Sequence, residues 1–266
     1  MWALVTGASS GIGYELAREL VKRQYSVIVA SSGDRLNTAA QDFRSAGGTV
    51  KDVQADLATA EGVEELWREV EALGEPLDVA CLNAGVGVGG LFYETDLEAE
   101  LNMINLNCTR MVHLAKLVVQ HMMRAGKGKI LITASIAGEM VAPRQAVYAA
   151  TKAFDLSFAH SLRYELRDTD ITVTALQPGA TDTDFFHRAG MDNTQVGQEG
   201  KSESQPEDVA RQGIDALMKG EDHVYAASMK TKVQGSMLNL VPGKVKGAMH
   251  EKMAKPVDKK RSKKRA

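Results

Sequence analysis

The sequence predicts an α/β fold, a doubly wound parallel sheet with helices on both faces. Three observations predict it. Apolar runs rich in Val, Ile and Leu take turns with longer segments whose apolar residues recur at helical spacing. Within the runs the apolar residues are continuous, as expected of strands covered on both faces. A glycine-rich turn, Thr6-Gly7-Ala8-Ser9-Ser10-Gly11-Ile12-Gly13, joins the first strand to the first helix. Strand–helix alternation with short links requires parallel strands and right-handed crossovers. Such a sheet carries its ligand crevice at the carboxyl ends of its strands.

The elements follow in order. Ala3 to Thr6 is the first strand and Ile12 to Arg23 the first helix. Ser26 to Ala30 is a strand, followed by a helix near Arg35 to Ala46. Thr49 to Gln54 is a strand, followed by a helix from about Ala60 to Leu73. Leu77 to Leu82 is a short apolar strand, and one long helix covers about Leu97 to Arg124. Lys129 to Ala134 is the next strand, then a helix from about Ala146 to Arg167, then a strand from Ile171 to Leu176. After Gly179 the pattern loosens. Residues 180–205 are mostly polar, with Phe185, Phe186 and Met191 in the first part and Gly197 and Gly200 in the second. A loop this long that leaves the carboxyl end of a strand reads as a lid over a binding site. Pro206-Glu207-Asp208 opens a helix to about Met218, with acids in the first turn as the dipole favours. His223 to Ala226 reads as a last strand. Val233, Met237 and Leu240, then Val245, Met249 and Met253, recur at helical spacing. This stripe is expected to pack on the core or on a partner subunit.

The 266 residues suit one α/β domain. The expected layout is a single nucleotide-binding unit over 1–228, a helical extension over 229–255 and a basic tail over 256–266. Ordinary composition argues against a disordered or fibrous chain. No apolar run is long enough to span a membrane, and no charged leader precedes the first strand. Two cysteines, Cys81 and Cys108, do not make a disulfide framework, so a reduced cytoplasm is the expected setting. From Val241 to Ala266 there are ten Lys or Arg against two acids, about +8, which leaves about −10 on the rest. The tail is expected to be solvated and disordered, rather than a contact for nucleic acid or membrane. The six histidines are scattered and no metal site is expected.

Two segments carry chemistry. In the first turn, Gly7, Gly11 and Gly13 clear side chains from the path of a pyrophosphate. The helix that follows turns its positive end toward the anion. In Tyr148-Ala149-Ala150-Thr151-Lys152, a phenol and an ammonium lie four residues apart on one helix face. A nearby ammonium favours the phenolate, so the pair suits proton transfer. Thr-Gly-(x)3-Gly-x-Gly together with Tyr-(x)3-Lys resembles the short-chain dehydrogenase/reductase family, in its compact single-domain subgroup. The resemblance covers about residues 2 to 184. It implies a Rossmann-type fold and hydride transfer between a nicotinamide cofactor and a carbonyl or alcohol.

The resemblance also implies roles for other residues. Ser135, at the end of Thr133-Ala134-Ser135, matches the catalytic serine that orients the reacting oxygen, with Tyr148 as proton donor. Lys152 is implied to lower the tyrosine pKa and to bind the nicotinamide ribose. Asn105, in Ile104-Asn105-Leu106-Asn107, matches the active-site asparagine that holds a water in a relay to Lys152. Asn102 and Asn107 are alternatives, and the family pattern favours Asn105. Ser9, Ser10 and Ile12 complete the glycine turn as cofactor contacts. Asp56, followed by Leu57, looks like the aspartate that meets the adenine. Asn83-Ala84-Gly85 lies along the adenosine half, although the usual second asparagine is Leu82 here. Pro178, Gly179, Thr181 and Thr183 are implied to contact the nicotinamide carboxamide.

At the end of the second strand an acid would select NAD and a basic residue NADP. The chain reads Ser31-Ser32-Gly33-Asp34-Arg35. Hydroxyls at Ser31 and Ser32 with the nearby Arg35 favour NADP(H) over NAD(H), while Asp34 would serve a ribose hydroxyl if the loop bent back. Phe185, Phe186, Met191 and Val141 suggest an apolar or mixed substrate pocket. The long helices near 97–124 and 146–167 are where such chains pair, so a homodimer or homotetramer is expected. The competing reading is a non-catalytic regulator or scaffold that binds a nicotinamide nucleotide on the same fold.

Overall fold

A computed structural model describes residues 1–195, 197, 198, 204–226 and 243–256. Within them, seven parallel strands form one sheet in the order β3-β2-β1-β4-β5-β6-β7. The strands are β1 (Trp2–Thr6), β2 (Ser26–Ser31), β3 (Val50–Gln54), β4 (Leu77–Leu82), β5 (Lys127–Thr133), β6 (Asp170–Pro178) and β7 (His223–Ala226). The order reverses between β1 and β4, and this switch point opens a crevice at the strand ends.

Side chains along each strand alternate between the two faces. Leu4, Ile28, Ala80, Ile130 and Ile132 join one buried cluster, with Val63, Leu66, Val118 and Ala159. These come from helices α3 (Ala60–Glu71), α5 (Met111–Ala125) and α6 (Ala146–Glu165). Ala3, Val5, Val27, Val29, Cys81 and Leu131 join the other, with Leu16, Phe43 and Ile214. These helices are α1 (Gly11–Lys22), α2 (Arg35–Ser45) and α8 (Pro206–Lys219). Both faces are therefore apolar, which explains the unbroken hydrophobic runs.

One expected element is divided. The helix foreseen over 97–124 is α4 (Leu97–Ile104), a π-helical turn (Asn105–Arg110) and then α5. The Asp96 side chain caps α4 by accepting from Ala99 N at 2.9 Å. Gly126, in the left-handed region at φ 77°, ends α5. A short helix, α7 (Phe185–Arg188), lies in the expected lid, and α9 (Gly243–Ala254) lies in the expected extension. The basic residues from 257 on, and the stripe members Val233, Met237 and Leu240, lie outside the described residues. Among the described residues, no helix is long and apolar enough to cross a membrane.

Candidate active site

The first strand ends in a tightly bonded corner. Gly7 turns at φ 69°, and a side chain on Gly13 would meet Gly7 O at 2.2 Å. Only glycine lets α1 start this close to β1. Ser10 stands at the helix N-cap without a side-chain bond into the first turn. The N–H groups of that turn stay available to an anion. Asn83 holds the corner closed. Its Nδ2 donates to Thr6 O at 3.0 Å, its Oδ1 accepts from Thr133 Oγ1 at 3.1 Å, and its N–H donates to Thr6 Oγ1 at 2.9 Å. Ala84 N donates to the same Thr6 hydroxyl at 3.0 Å. One side chain thus ties the carboxyl ends of β1, β4 and β5. Across the cleft, Thr183 lies over Gly11, where an added Cβ would meet its methyl at 3.0 Å. Thr181 is buried and its hydroxyl donates to Gly179 O at 3.0 Å. Gly179 follows Pro178, the last residue of β6.

At the second strand, the Ser9 and Ser31 hydroxyls are 2.9 Å apart. Ser32 is exposed, and its carbonyl accepts from Gln54 Nε2 at 3.2 Å. The same amide donates to Asp34 Oδ1 at 3.2 Å, so that carboxylate is tied to the end of β3. Arg35 opens α2 and pairs with Asp184 of the lid in an exposed ion pair. Asp56 is exposed, and its carboxylate accepts from Ala58 N at 3.0 Å, while Leu57 is buried beside it.

The proton-handling groups are buried together. Tyr148, Thr151, Lys152 and Asp155 all lie on the inner face of α6, at the three- and four-residue steps of a helix. Ser135 follows β5 and caps a 3-10 turn (Ile136–Glu139), accepting from Ala137 N at 3.1 Å. Its hydroxyl donates to Pro178 O at 3.5 Å. Lys152 Nζ donates to Thr133 O and to Asp155 Oδ2, each at 2.9 Å. Burial pushes the Tyr148 phenol above its ordinary pKa; the Lys152 charge and the Ser135 hydrogen bond oppose the shift, and Asp155 adds to it. Burial works to lower the Lys152 ammonium, but the Asp155 and Tyr148 charges outweigh it and the group lies above its usual value.

Asn105 does not reach this cluster. It is exposed, whereas Asn107, two residues on, is 1% exposed. Asn107 Oδ1 accepts from Val86 N, and its Nδ2 donates to Val86 O and to Thr151 Oγ1, each at 3.0 Å. The π-helical turn changes which residues face inward, and the choice of Asn105 is corrected to Asn107 on that ground. Asp155 and Thr151 are further residues that sequence reasoning missed. A mid-helix acid reads as a solvent-facing residue unless its helix face is compared with that of Tyr148.

The pocket beside Tyr148 differs from the expected one. Phe185 stands over the phenol, ring centroids 5.2 Å apart, with Met103, Ala137, Val86, Val88 and Val147 around it. Phe186 and Met191 instead pack with Ala189 and Ala254, fastening the lid to α9. Val141 is exposed beside Gly247 of α9. Gly89 N donates to Ala189 O at 2.9 Å, which joins the loop after β4 to the lid.

The family description "short chain dehydrogenase" matches residues 1–194. The chain is 36% identical over 231 residues to 1-deoxy-11-beta-hydroxypentalenate dehydrogenase of Streptomyces exfoliatus, covering 85% of this chain and 82% of that one. Among solved structures it is similar to a short-chain dehydrogenase from Sphingobium yanoikuyae in complex with NADPH. That match has 27% identity and a TM-score of 0.78, and covers 84% of this chain and 86% of that one. A short-chain dehydrogenase/reductase from Burkholderia phymatum in complex with NAD shares the fold at 22% identity and a TM-score of 0.83, over 97% and 96% of the two chains.

Proposed function

The chain belongs to the short-chain dehydrogenase family, and from that premise we propose that it transfers hydride between NADP(H) and a carbonyl or alcohol substrate. The observation that carries this reading is the buried meeting of Ser135, Tyr148 and Lys152 at the crevice, beside a glycine turn that leaves a helix N-terminus open. That turn suits a pyrophosphate, because Gly13 has no room for a side chain and the first-turn N–H groups lack a capping side chain. Gly7, Ser9, Gly11 and Ile12 would line the pyrophosphate. Asp56 and Leu57 would border the adenine, and Asn83 to Gly85 the adenosine. Gly179, Thr181 and Thr183 would meet the nicotinamide end. When bound, the cofactor supplies or accepts the hydride.

The residues handle the proton and the charge. In reduction, the Tyr148 phenol donates its proton to the carbonyl oxygen as general acid. Ser135 donates a hydrogen bond to the same oxygen as charge grows on it. Lys152, held against Thr133, would offer its remaining N–H to the nicotinamide ribose, and its charge stabilises the tyrosinate that proton donation leaves. Asn107 uses both ends of its amide to fix the loop at Val86 to α6. It therefore acts by position, and the expected relay through Asn105 is dropped. In oxidation Tyr148 serves as base.

NADP(H) is favoured because no carboxylate projects freely from the end of β2. Asp34 is tied to Gln54, and Arg35 can exchange Asp184 for a 2′-phosphate. Self-association would use the exposed apolar row Leu97, Leu101 and Ile104 of α4 with Phe154 of α6. A non-catalytic role is not favoured, since it needs no buried proton donor. Titration of NADPH and NADH fluorescence, with a carbonyl panel and Tyr148→Phe alongside, tests the reading. NADPH binding by both proteins with turnover only in the wild type is expected. A folded protein that binds neither nucleotide would overturn it.

A further inference from the structure

Asp155 is a carboxylate where the fold offers it little. It is 2% exposed, and burying a charge is costly unless the charge is paired and bonded. Its Oδ2 accepts from Lys152 Nζ at 2.9 Å, but its Oδ1 is buried with no hydrogen-bond partner. The ammonium has three donors. Thr133 O at the end of β5 and Asp155 Oδ2 of α6 take two of them and leave one. Tyr148, Lys152 and Asp155 share one helix face, with Lys152 between the phenol and the carboxylate along the helix.

We propose that Asp155 is a positioning residue of the proton-transfer site: it anchors the Lys152 ammonium against β5 and withholds part of the lysine's charge from the Tyr148 phenol. The proposal rests on the reading of Tyr148 as proton donor. An isolated ammonium beside a phenol favours the phenolate. A carboxylate on the far side of that ammonium cancels part of the effect. Among the described residues, the titratable groups acting on the pair are these three of α6 and Cys108 of the π-helical turn. Burial, and then the Asp155 charge, push the Cys108 thiol up to about 11, so it stays neutral at physiological pH. The other neighbours of the phenol are the Ser135 hydroxyl and the apolar Phe185, Met103, Ala137 and Val86. Burial pushes the Asp155 carboxyl above its usual value, and the Lys152 charge and hydrogen bond oppose that shift; bonded to the ammonium, it is the one carboxylate near the pair among these groups. It keeps the phenol protonated to higher pH, which suits proton donation, and it raises the pH at which alcohol oxidation becomes fast. A role in stability alone accounts poorly for it, because a buried ion pair with an unpaired oxygen is weak support for a fold.

The test reads Tyr148 directly, without substrate. The ultraviolet tyrosinate titration of the full chain, less that of Tyr148→Phe, isolates this residue. In Asp155→Asn, less the Asp155→Asn/Tyr148→Phe double variant, the titration is expected to move down by about one pH unit or more. An unmoved titration in folded Asp155→Asn overturns the proposal. If the amide is not tolerated, Asp155→Leu removes the charge with an apolar side chain of similar size, and the same shift is required of it. Because no turnover is read, the two failures are distinguishable: an unmoved titration overturns the role of Asp155 alone, whereas absent carbonyl turnover beside a moved titration overturns the functional reading on which that role rests.

Discussion

The two ends of the cleft each hold an ion pair, and the pairs are built differently. At the proton-handling end, the Lys152 and Asp155 side chains are 6% and 2% exposed. At the adenosine end, those of Arg35 and Asp184 are 58% and 52% exposed. Water screens the second pair, so it contributes about 0–1 kcal/mol and exchanges partners readily. The first pair is fixed by its surroundings, and its charges act over short distances in a low dielectric. One end is therefore suited to a single chemical task. The other is suited to receiving whatever anion a ligand presents.

Substitutions break or sharpen this contrast. The largest effect is expected at Tyr148. Tyr148→Phe should lower carbonyl turnover by about 10²–10⁴ or more, while NADPH fluorescence titration still shows binding. An active Tyr148→Phe would remove the buried end from the mechanism. Next comes Asn107. Asn107→Ala strands Val86 N–H and C=O, while the Thr151 hydroxyl keeps its bond to Tyr148 O, and should destabilise the fold by about 1–3 kcal/mol. Asn105→Ala should stay within about 0.5 kcal/mol. Denaturant melts of the two variants compare them, and the reverse ranking would mean that Asn107 does not hold the loop at Val86 to α6.

At the exposed end, Arg35→Ala should weaken NADPH binding about tenfold, as for one lost charge-assisted bond, and leave NADH binding unchanged. Equal losses for both nucleotides would mean that Arg35 reads no 2′-phosphate. Asp184→Asn should do the opposite on a smaller scale. It frees Arg35 from a pair worth at most about 1 kcal/mol, so NADPH should bind a few-fold more tightly.

The smallest effect concerns the strap over the buried end. His250 of α9 is buried and its Nδ1 lies 3.1 Å from Pro143 O. Burial depresses its pKa below the usual value. A depressed histidine binds fewer protons folded than unfolded, so its contribution is complete above about pH 6.5. It is lost as pH falls from there through the lower folded value. Amide exchange in α9 should quicken on acidification in the wild type, and His250→Gln should flatten that dependence.

Much of this was readable from the chain. Five apolar runs between helical segments specify the inner strands β2, β1, β4, β5 and β6, whose two faces both bury side chains; the edge strand β3 reads Val50-Lys51-Asp52-Val53-Gln54 and is mostly half-buried. Tyr148 and Lys152 are legible as neighbours because an α-helix places residues four apart side by side. The family pattern favours Asn105 over Asn102 and Asn107, and no residue in 105–110 announces the π-helical turn from which Asn107 points inward. The hydrogen bonds to Val86 that pick out Asn107 span 21 residues, and no local pattern announces them. Phe186 and Met191 looked like pocket residues because their partner Ala254 is more than 60 residues away in the chain. Long-range docking of that kind leaves no periodicity to read.

The π-helical turn bears on which mutations this region can absorb. Its wider winding stores one residue more than an α-helix of the same height. Deleting a single residue within 105–110 would let α4 and α5 heal into one continuous rod. An α-helix turns about 100° per residue, and the wide turn absorbs the rotation of its extra residue, so α4 and α5 would keep the faces they now present, Met103 toward Tyr148 and Leu97, Leu101 and Ile104 outward. The deletion would instead remove the widened backbone from which Asn107 reaches Val86 and Thr151. Here the number of residues matters as much as their identity. A one-residue gap would spare both helices and still unfasten the loop at Val86 from α6.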